Sequence, residues 1–142
     1  MRIVIALVFL LSNFSYADGI IVLHSNLSST TNNNNTIMGI ATPSLGAKDS
    51  EIWRSQIEIN SKTPLHQHEA EEIVVLLSGT LEAEVNGKSV SCTAPCTIIL
   101  PANEPHMLKN IGDIPTDQIL IMKSQSKISD QSGQEMQLPW RK

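Results

Sequence analysis

Downstream of residue 50 the chain is a succession of short runs rich in aliphatic and β-branched residues, at 51–59, 71–77, 80–85, 89–92, 96–100, 106–110 and 118–123. Turn residues separate them, and Asn86-Gly87 is a favoured two-residue hairpin connection. No segment repeats its apolar residues with the 3.6-residue period of a helix that packs on one side. Many short strands at close spacing predict an all-β domain, either a sandwich or a barrel.

Upstream of these runs, 20–23 and 37–41 each predict a further strand. Between them lies the polar tract 28–35, Ser-Ser-Thr-Thr-Asn-Asn-Asn-Asn, which offers almost nothing to bury and is read as a mobile loop. Beyond Lys123 the chain is polar until Met136 and closes with Leu138-Pro139-Trp140-Arg141-Lys142. This predicts either a disordered tail or a flap pinned by Trp140.

The N-terminus carries Arg2, an apolar run at 3–11 and then Ser15-Tyr16-Ala17 before Asp18. That pattern predicts a secretory signal peptide cut after Ala17, hence a secreted or periplasmic protein. A membrane anchor or buried strand is the alternative, but nine apolar residues fall short of the ~20 that a spanning helix needs. Cleavage leaves 125 of the 142 residues, enough for one domain with its own core and with no further segment apolar enough to span a bilayer. Without Arg2 the chain holds 9 basic and 14 acidic residues, with no basic run. Nucleic acid is therefore excluded as the expected partner.

Chemistry concentrates in three of the four histidines. His66 and His68 stand two apart and so share one side of an extended strand, Glu72 follows four residues later, and His106 arrives from a later strand. Three imidazoles and one carboxylate can close on a single divalent cation. They leave one or two positions open on Fe, Mn, Ni or Cu, whereas Zn in the same set would be tetrahedral and closed unless it expands its coordination. An open position accepts water, dioxygen or a bidentate organic acid. His24 belongs to no pattern and is expected at the surface. Glu58, Glu69, Glu71 and Glu104 lie near these residues, but none is marked as a general acid or base.

The spacing H-x-H-x3-E-x6-G at His66, His68, Glu72 and Gly79, followed by P-x-N-x2-H-x3-N at Pro101, Asn103, His106 and Asn110, resembles the two motifs of the cupin superfamily over about residues 51–123. The resemblance implies a single jelly-roll barrel holding one divalent metal through His66, His68, Glu72 and His106, with a small-molecule ligand or substrate. It also implies a homodimer paired through exposed strand edges. The chain then divides into N-terminal strands and an Asn-rich loop at 18–50, the barrel at 51–123 and a polar tail at 124–142. Where the family pattern has Gly, this chain has Asn60, Pro95 and Asn103. Asn tolerates the left-handed backbone region, whereas Pro fixes its own φ, so the turn at Pro95 must differ from the family's.

A narrower similarity, to the secreted auxin-binding proteins of plants, runs through Glu51-Ile52-Trp53, 63–68, 71–73 and 100–106. It implies that Trp53, Thr63 and Pro64 line a pocket for an aromatic carboxylate and that Trp140 matches an aromatic near that family's C-terminus. Strand alternation puts Arg54 and Gln56 on one face, Trp53 and Ser55 on the other. An inward Arg54 would bind a carboxylate directly, an inward Trp53 an aromatic ring. Two functions remain open: a metal-dependent enzyme of dioxygenase, decarboxylase, isomerase or lyase type, and a non-catalytic binder of a small aromatic carboxylate. Cys92 and Cys96 are the only cysteines and bracket Thr93-Ala94-Pro95 between two apparent strands. An oxidising compartment favours a disulfide between them, with thiolate ligands for copper or a redox pair as the alternatives.

Overall fold

A computed structural model describes residues 18–141, so the proposed signal peptide lies outside the described residues. Eleven strands and two single turns of 3-10 helix make up the regular structure there. The strands are β1 (Thr30–Asn32), β2 (Asn35–Ala41), β3 (Ser50–Ile57), β4 (His66–His68), β5 (Glu72–Ser78), β6 (Thr80–Val85), β7 (Lys88–Thr93), β8 (Cys96–Leu100), β9 (His106–Asn110), β10 (Asp117–Lys123) and β11 (Ile128–Asp130). They form two sheets, ordered β1-β2-β3-β10-β5-β8 and β11-β4-β9-β6-β7, and the strand pairs are antiparallel throughout. The architecture is all-β, a jelly roll of two facing sheets rather than a barrel closed by a continuous hydrogen-bond ladder.

Alternation builds the core. Trp53 and Ile57 from β3, Val74 and Leu76 from β5, Leu81 and Ala83 from β6, Leu100 from β8, Leu108 from β9, and Leu120 and Met122 from β10 are all buried between the sheets. In the smaller sheet the opposite faces are polar, with Glu82, Glu84 and Lys109 turned outward. No helix among the described residues is long and apolar enough to cross a membrane.

Two expectations are corrected. Ile20, Ile21 and Leu23 form no strand; they are exposed and find no sheet partner, so apolar content alone did not produce pairing. The polar tract is not a free loop but the hairpin β1–β2. Its turn residues Asn33 and Asn34 both take positive φ, 47° and 62°, which Asn reaches more readily than other non-Gly residues. Thr31 and Thr36 add a 2.8 Å cross-strand bond between hydroxyls. The same capacity of Asn explains the substituted turn glycines, since Asn60 and Asn103 sit at φ 60° and 61°. The turn before β8 contains a cis peptide at Ala94-Pro95.

Gly79 is required at its turn. It has φ 89°, and a Cβ there would meet Thr116 at 3.0 Å. Cys92 and Cys96 form a disulfide across the β7–β8 hairpin. A loop this short is expected to contribute about 2 kcal/mol through the unfolded state. Replacing both cysteines by serine should lower the melting temperature by roughly 5–10 °C and leave metal content unchanged, as read by calorimetry beside elemental analysis.

Candidate metal centre

The histidines meet because β4 is wedged between two partners. His68 pairs with Ile128 of β11, and His66 pairs with His106 at the start of β9. Glu72 opens β5 in the other sheet, opposite Leu100 and Met122, and points inward with relative exposure of 2%. Three imidazoles from one sheet thus face a carboxylate from the other. One nitrogen from each of His66, His68 and His106 lies within 4.8 Å of the others. The Glu72 carboxylate is 3.5 Å from Nε2 of His68 and 3.8 Å from Nε2 of His106.

Backbone carbonyls set the tautomers. The Nδ1–H of His66 donates to the Pro64 carbonyl and that of His106 to the Glu104 carbonyl, each at 2.8 Å, while His68 Nδ1 faces the Ala70 carbonyl at 3.4 Å. With the protons on Nδ1, the Nε2 atoms carry bare lone pairs, and those of His68 and His106 face each other at 3.2 Å. Two lone pairs at that distance repel unless a cation lies between them. Nitrogens bound to one metal at ~2.1 Å and angles of 90–109° are separated by about 3.0 to 3.4 Å, so the donor set fits a metal ion.

Burial sets the protonation of the metal-free centre. Desolvation lowers all three imidazoles, His68 to about 3 with help from the charges of the other two rings, and His106 to about 4. The histidines are therefore neutral and ready to ligate at neutral pH. Desolvation of Glu72 works the other way and pushes its carboxyl up to about 8.

Beside the centre lies a cavity of about 250 Å³. His66, His68 and Glu72 line one part of it; Trp53, Pro64, Leu108, Leu120 and Ile128 supply its apolar wall, and Asn32, Asn33 and Asn35 belong to its lining as well. The Asn35 amide nitrogen donates to the carbonyls of Asn33 and Lys62, leaving its Oδ1 without a partner among the described residues. Of the pocket residues expected from the sequence, Trp53, Thr63 and Pro64 are present. Arg54 is not: alternation turns it to the outer face, where it forms a two-pronged ion pair with Asp117 at 2.7 and 2.5 Å. Glu58, Glu69 and Glu71 are exposed, as is His24.

Of the two alternatives for the tail the structure takes the flap, and its contacts with the cavity and with Glu51 were not foreseen. Residues 136–139 run back across the cavity and line it. Trp140 then packs against Trp53 with ring centroids 5.9 Å apart, and the Arg141 guanidinium forms an ion pair with the fully buried Glu51 while donating to the Ser126 carbonyl at 2.7 Å. The segment is thus a flap pinned by Trp140 and a buried charge pair. Alternation offered one clue, because Glu51 shares the inward face of Trp53 and a buried carboxylate requires a cationic partner. Asn110 is structural: its Nδ2 donates to the carbonyls of Ile57 and Ile114, and its Oδ1 accepts from the Gly112 amide.

Fold and centre together define a jelly-roll domain with a histidine triad positioned to hold a metal beside a largely apolar cavity. The chain belongs to the cupin superfamily, and the Cupin domain profile matches residues 53–122. It is 37% identical over 92 residues to Auxin-binding protein 1 of Arabidopsis thaliana, covering 58% of this chain and 46% of that protein. To Auxin-binding protein T85 of Nicotiana tabacum it is 27% identical over 93 residues, covering 58% of this chain and 50% of that one. The chain thus spans about half the length of the curated relatives it matches. Among solved structures, the polyketide cyclase RemF of Streptomyces resistomycificus superimposes with a TM-score of 0.68 at 16% identity, covering 77% of this chain and 82% of that one. An oxalate decarboxylase of Lactobacillus farciminis gives 0.66 at 19%, covering 70% and 32% respectively. At these identities the structures share the fold.

With Glu72 as a fourth ligand, metal would displace its proton below pH 8, so apparent affinity should fall as pH falls, by about tenfold per unit down to pH 5, and level off above pH 8. Competition titrations at several pH values with the native protein and Glu72→Gln check this. The variant should bind more weakly and lose the slope; a flat profile in the native protein would contradict the assignment.

Proposed function

We propose that this is an exported cupin that holds one divalent metal, Fe, Mn, Ni, Cu or Zn, through His66, His68, Glu72 and His106, and uses it to bind a small aromatic carboxylate without turning it over. The observation that carries the reading is the composition of the cavity wall. Apart from His66, His68 and Glu72, the side chains around the cavity are apolar, hydroxyl or amide in character. A bound metal supplies a Lewis-acid position for a carboxylate. The Trp53 face, Pro64 and Leu108 then offer a slot for a flat apolar body, with Thr63 held in place by accepting from the Leu108 amide at 2.9 Å. The similarity to auxin-binding proteins supports the same ligand class. The leader at 1–17 and the disulfide support export.

A second reading, a metal-dependent dioxygenase, decarboxylase, isomerase or lyase, is favoured by one observation. His66 also lines a separate outer cleft with Gln67, Pro105 and Asp130, so one of the proposed ligands borders two cavities. That arrangement would admit a second small reactant.

Calorimetric titration of the metal-loaded protein with phenylacetate and with auxin tests the proposal. Saturable one-to-one binding is expected, abolished by metal removal and weakened roughly tenfold or more by Trp53→Ala. Failure of both acids to bind refutes the binder reading. Consumption of either acid, or metal-dependent oxygen uptake, would replace it with the enzyme reading.

A further inference from the structure

Strand register rules the inner face of the larger sheet into rungs. Glu51, Met122 and Glu72 form the rung at the metal centre, and Trp53, Leu120 and Val74 form the next. Ser55, Gln118 and Leu76 form the third, which Ile37 extends into β2. The second rung is apolar throughout. The third breaks that pattern with a serine and a glutamine facing each other across β3 and β10.

Both residues are shielded from water, Gln118 fully and Ser55 to 5% exposure. Nε2 of Gln118 donates to Oγ of Ser55 at 3.1 Å, and Oε1 of Gln118 has no partner among the described residues. Packing alone does not call for this pair, since a methionine or leucine would fill the volume without stripping water from a carboxamide. Its effect falls on Ser55. A hydroxyl that accepts from an amide keeps its own proton to give, and no acceptor for that proton is found among the described residues. Ser55 lines the cavity beside the metal centre, whereas Gln118 does not. The cavity wall thus carries a buried, oriented donor that the protein itself leaves unused.

We infer that Ser55, held in place by Gln118, is the group that selects the ligand's far end, and that the ligand is an aromatic carboxylate bearing a neutral hydroxyl remote from its carboxylate. The inference rests on the binder reading and narrows its ligand class. Charge makes the distal group neutral, because beyond Glu72 and the histidines no ionisable side chain lines the cavity. The rung spacing sets the length. Four residues of strand at ~3.3 Å each separate the level of Glu72 from that of Ser55 by about 13 Å. A contact of ~2.8 Å at each end leaves a ligand roughly 7–8 Å long between its polar atoms, the span of a para-hydroxycinnamate rather than of a benzoate. Trp53 and Leu120, on the rung between, face its apolar body. A ligand with a bare hydrocarbon end would leave the Ser55 proton unpaired in a dry wall, which is how a buried donor discriminates. Asn35, opposite Ile57 one rung further on, adds an unpartnered Oδ1 to the same end of the cavity lining.

Calorimetric titration of the metal-loaded protein with para-hydroxycinnamate and with its isostere para-methylcinnamate tests this. The native protein should prefer the hydroxy acid by about tenfold. Ser55→Ala should bring the ratio of the two affinities close to one. Gln118→Met, which keeps the volume and removes the amide, should lower that ratio severalfold with metal content unchanged, and it serves as the second test should Ser55→Ala fold poorly. Equal binding of the two acids by the native protein, or a ratio that survives both substitutions, overturns the inference and leaves the binder reading standing. Failure of both acids to bind removes the binder reading and the inference with it.

Discussion

Two backbone carbonyls, those of Pro64 and Glu104, accept the Nδ1 protons of His66 and His106, and much of the chemistry of this molecule follows from that. A ring whose Nδ1 proton is committed has only its Nε2 lone pair to offer, and burial keeps the rings neutral. The short strand β4, gripped by β9 and β11, then aims two such lone pairs at the one on His106. Without a cation, the Nε2 lone pairs of His68 and His106 would face each other at 3.2 Å. The geometry is therefore arranged for a positive charge that the protein's own side chains do not supply.

Glu72 completes the logic from the opposite sheet. Its burial raises the cost of ionisation, so its proton leaves when a metal arrives to compensate the charge. On the proposed ligand set, binding of metal and ionisation of the carboxyl would be one event. The second buried carboxylate, Glu51, is compensated differently, by Arg141 from the far end of the chain. The two carboxylates lie on neighbouring inner-face positions, opposite Met122 in β10. One end of the jelly roll is thereby closed by a metal-ready centre and a protein-internal ion pair side by side. The C-terminal flap that delivers Arg141 also lines the cavity, which links enclosure of a ligand to the same buried charge.

Much of this was legible in the sequence because it depends on local spacing. His66 and His68 follow a two-residue strand period with Glu72 four residues on, and Gly79, His106 and Asn110 were read from the resemblance to the cupin motifs. Strand boundaries at 80–85, 96–100 and 106–110 coincide with the structure. What was not legible depends on pairing across long separations. Ile20–Leu23 has strand-like composition but no partner, while the Asn tract, poor in buried surface, becomes a hairpin because Asn33 and Asn34 accept positive φ. Arg54 could be placed on either face until the register of β3 against β10 assigned Trp53 to the interior. The Arg141–Glu51 contact spans 90 positions, and composition offers no signal for it.

Metal content measured by elemental analysis on the purified native protein, beside His106→Ala, tests the central claim most directly. The account predicts about one equivalent of a divalent transition metal in the native protein, with essentially none retained by a soluble, folded His106→Ala variant. A native protein without bound metal after exposure to each candidate cation, or an unchanged content in the variant, would contradict it.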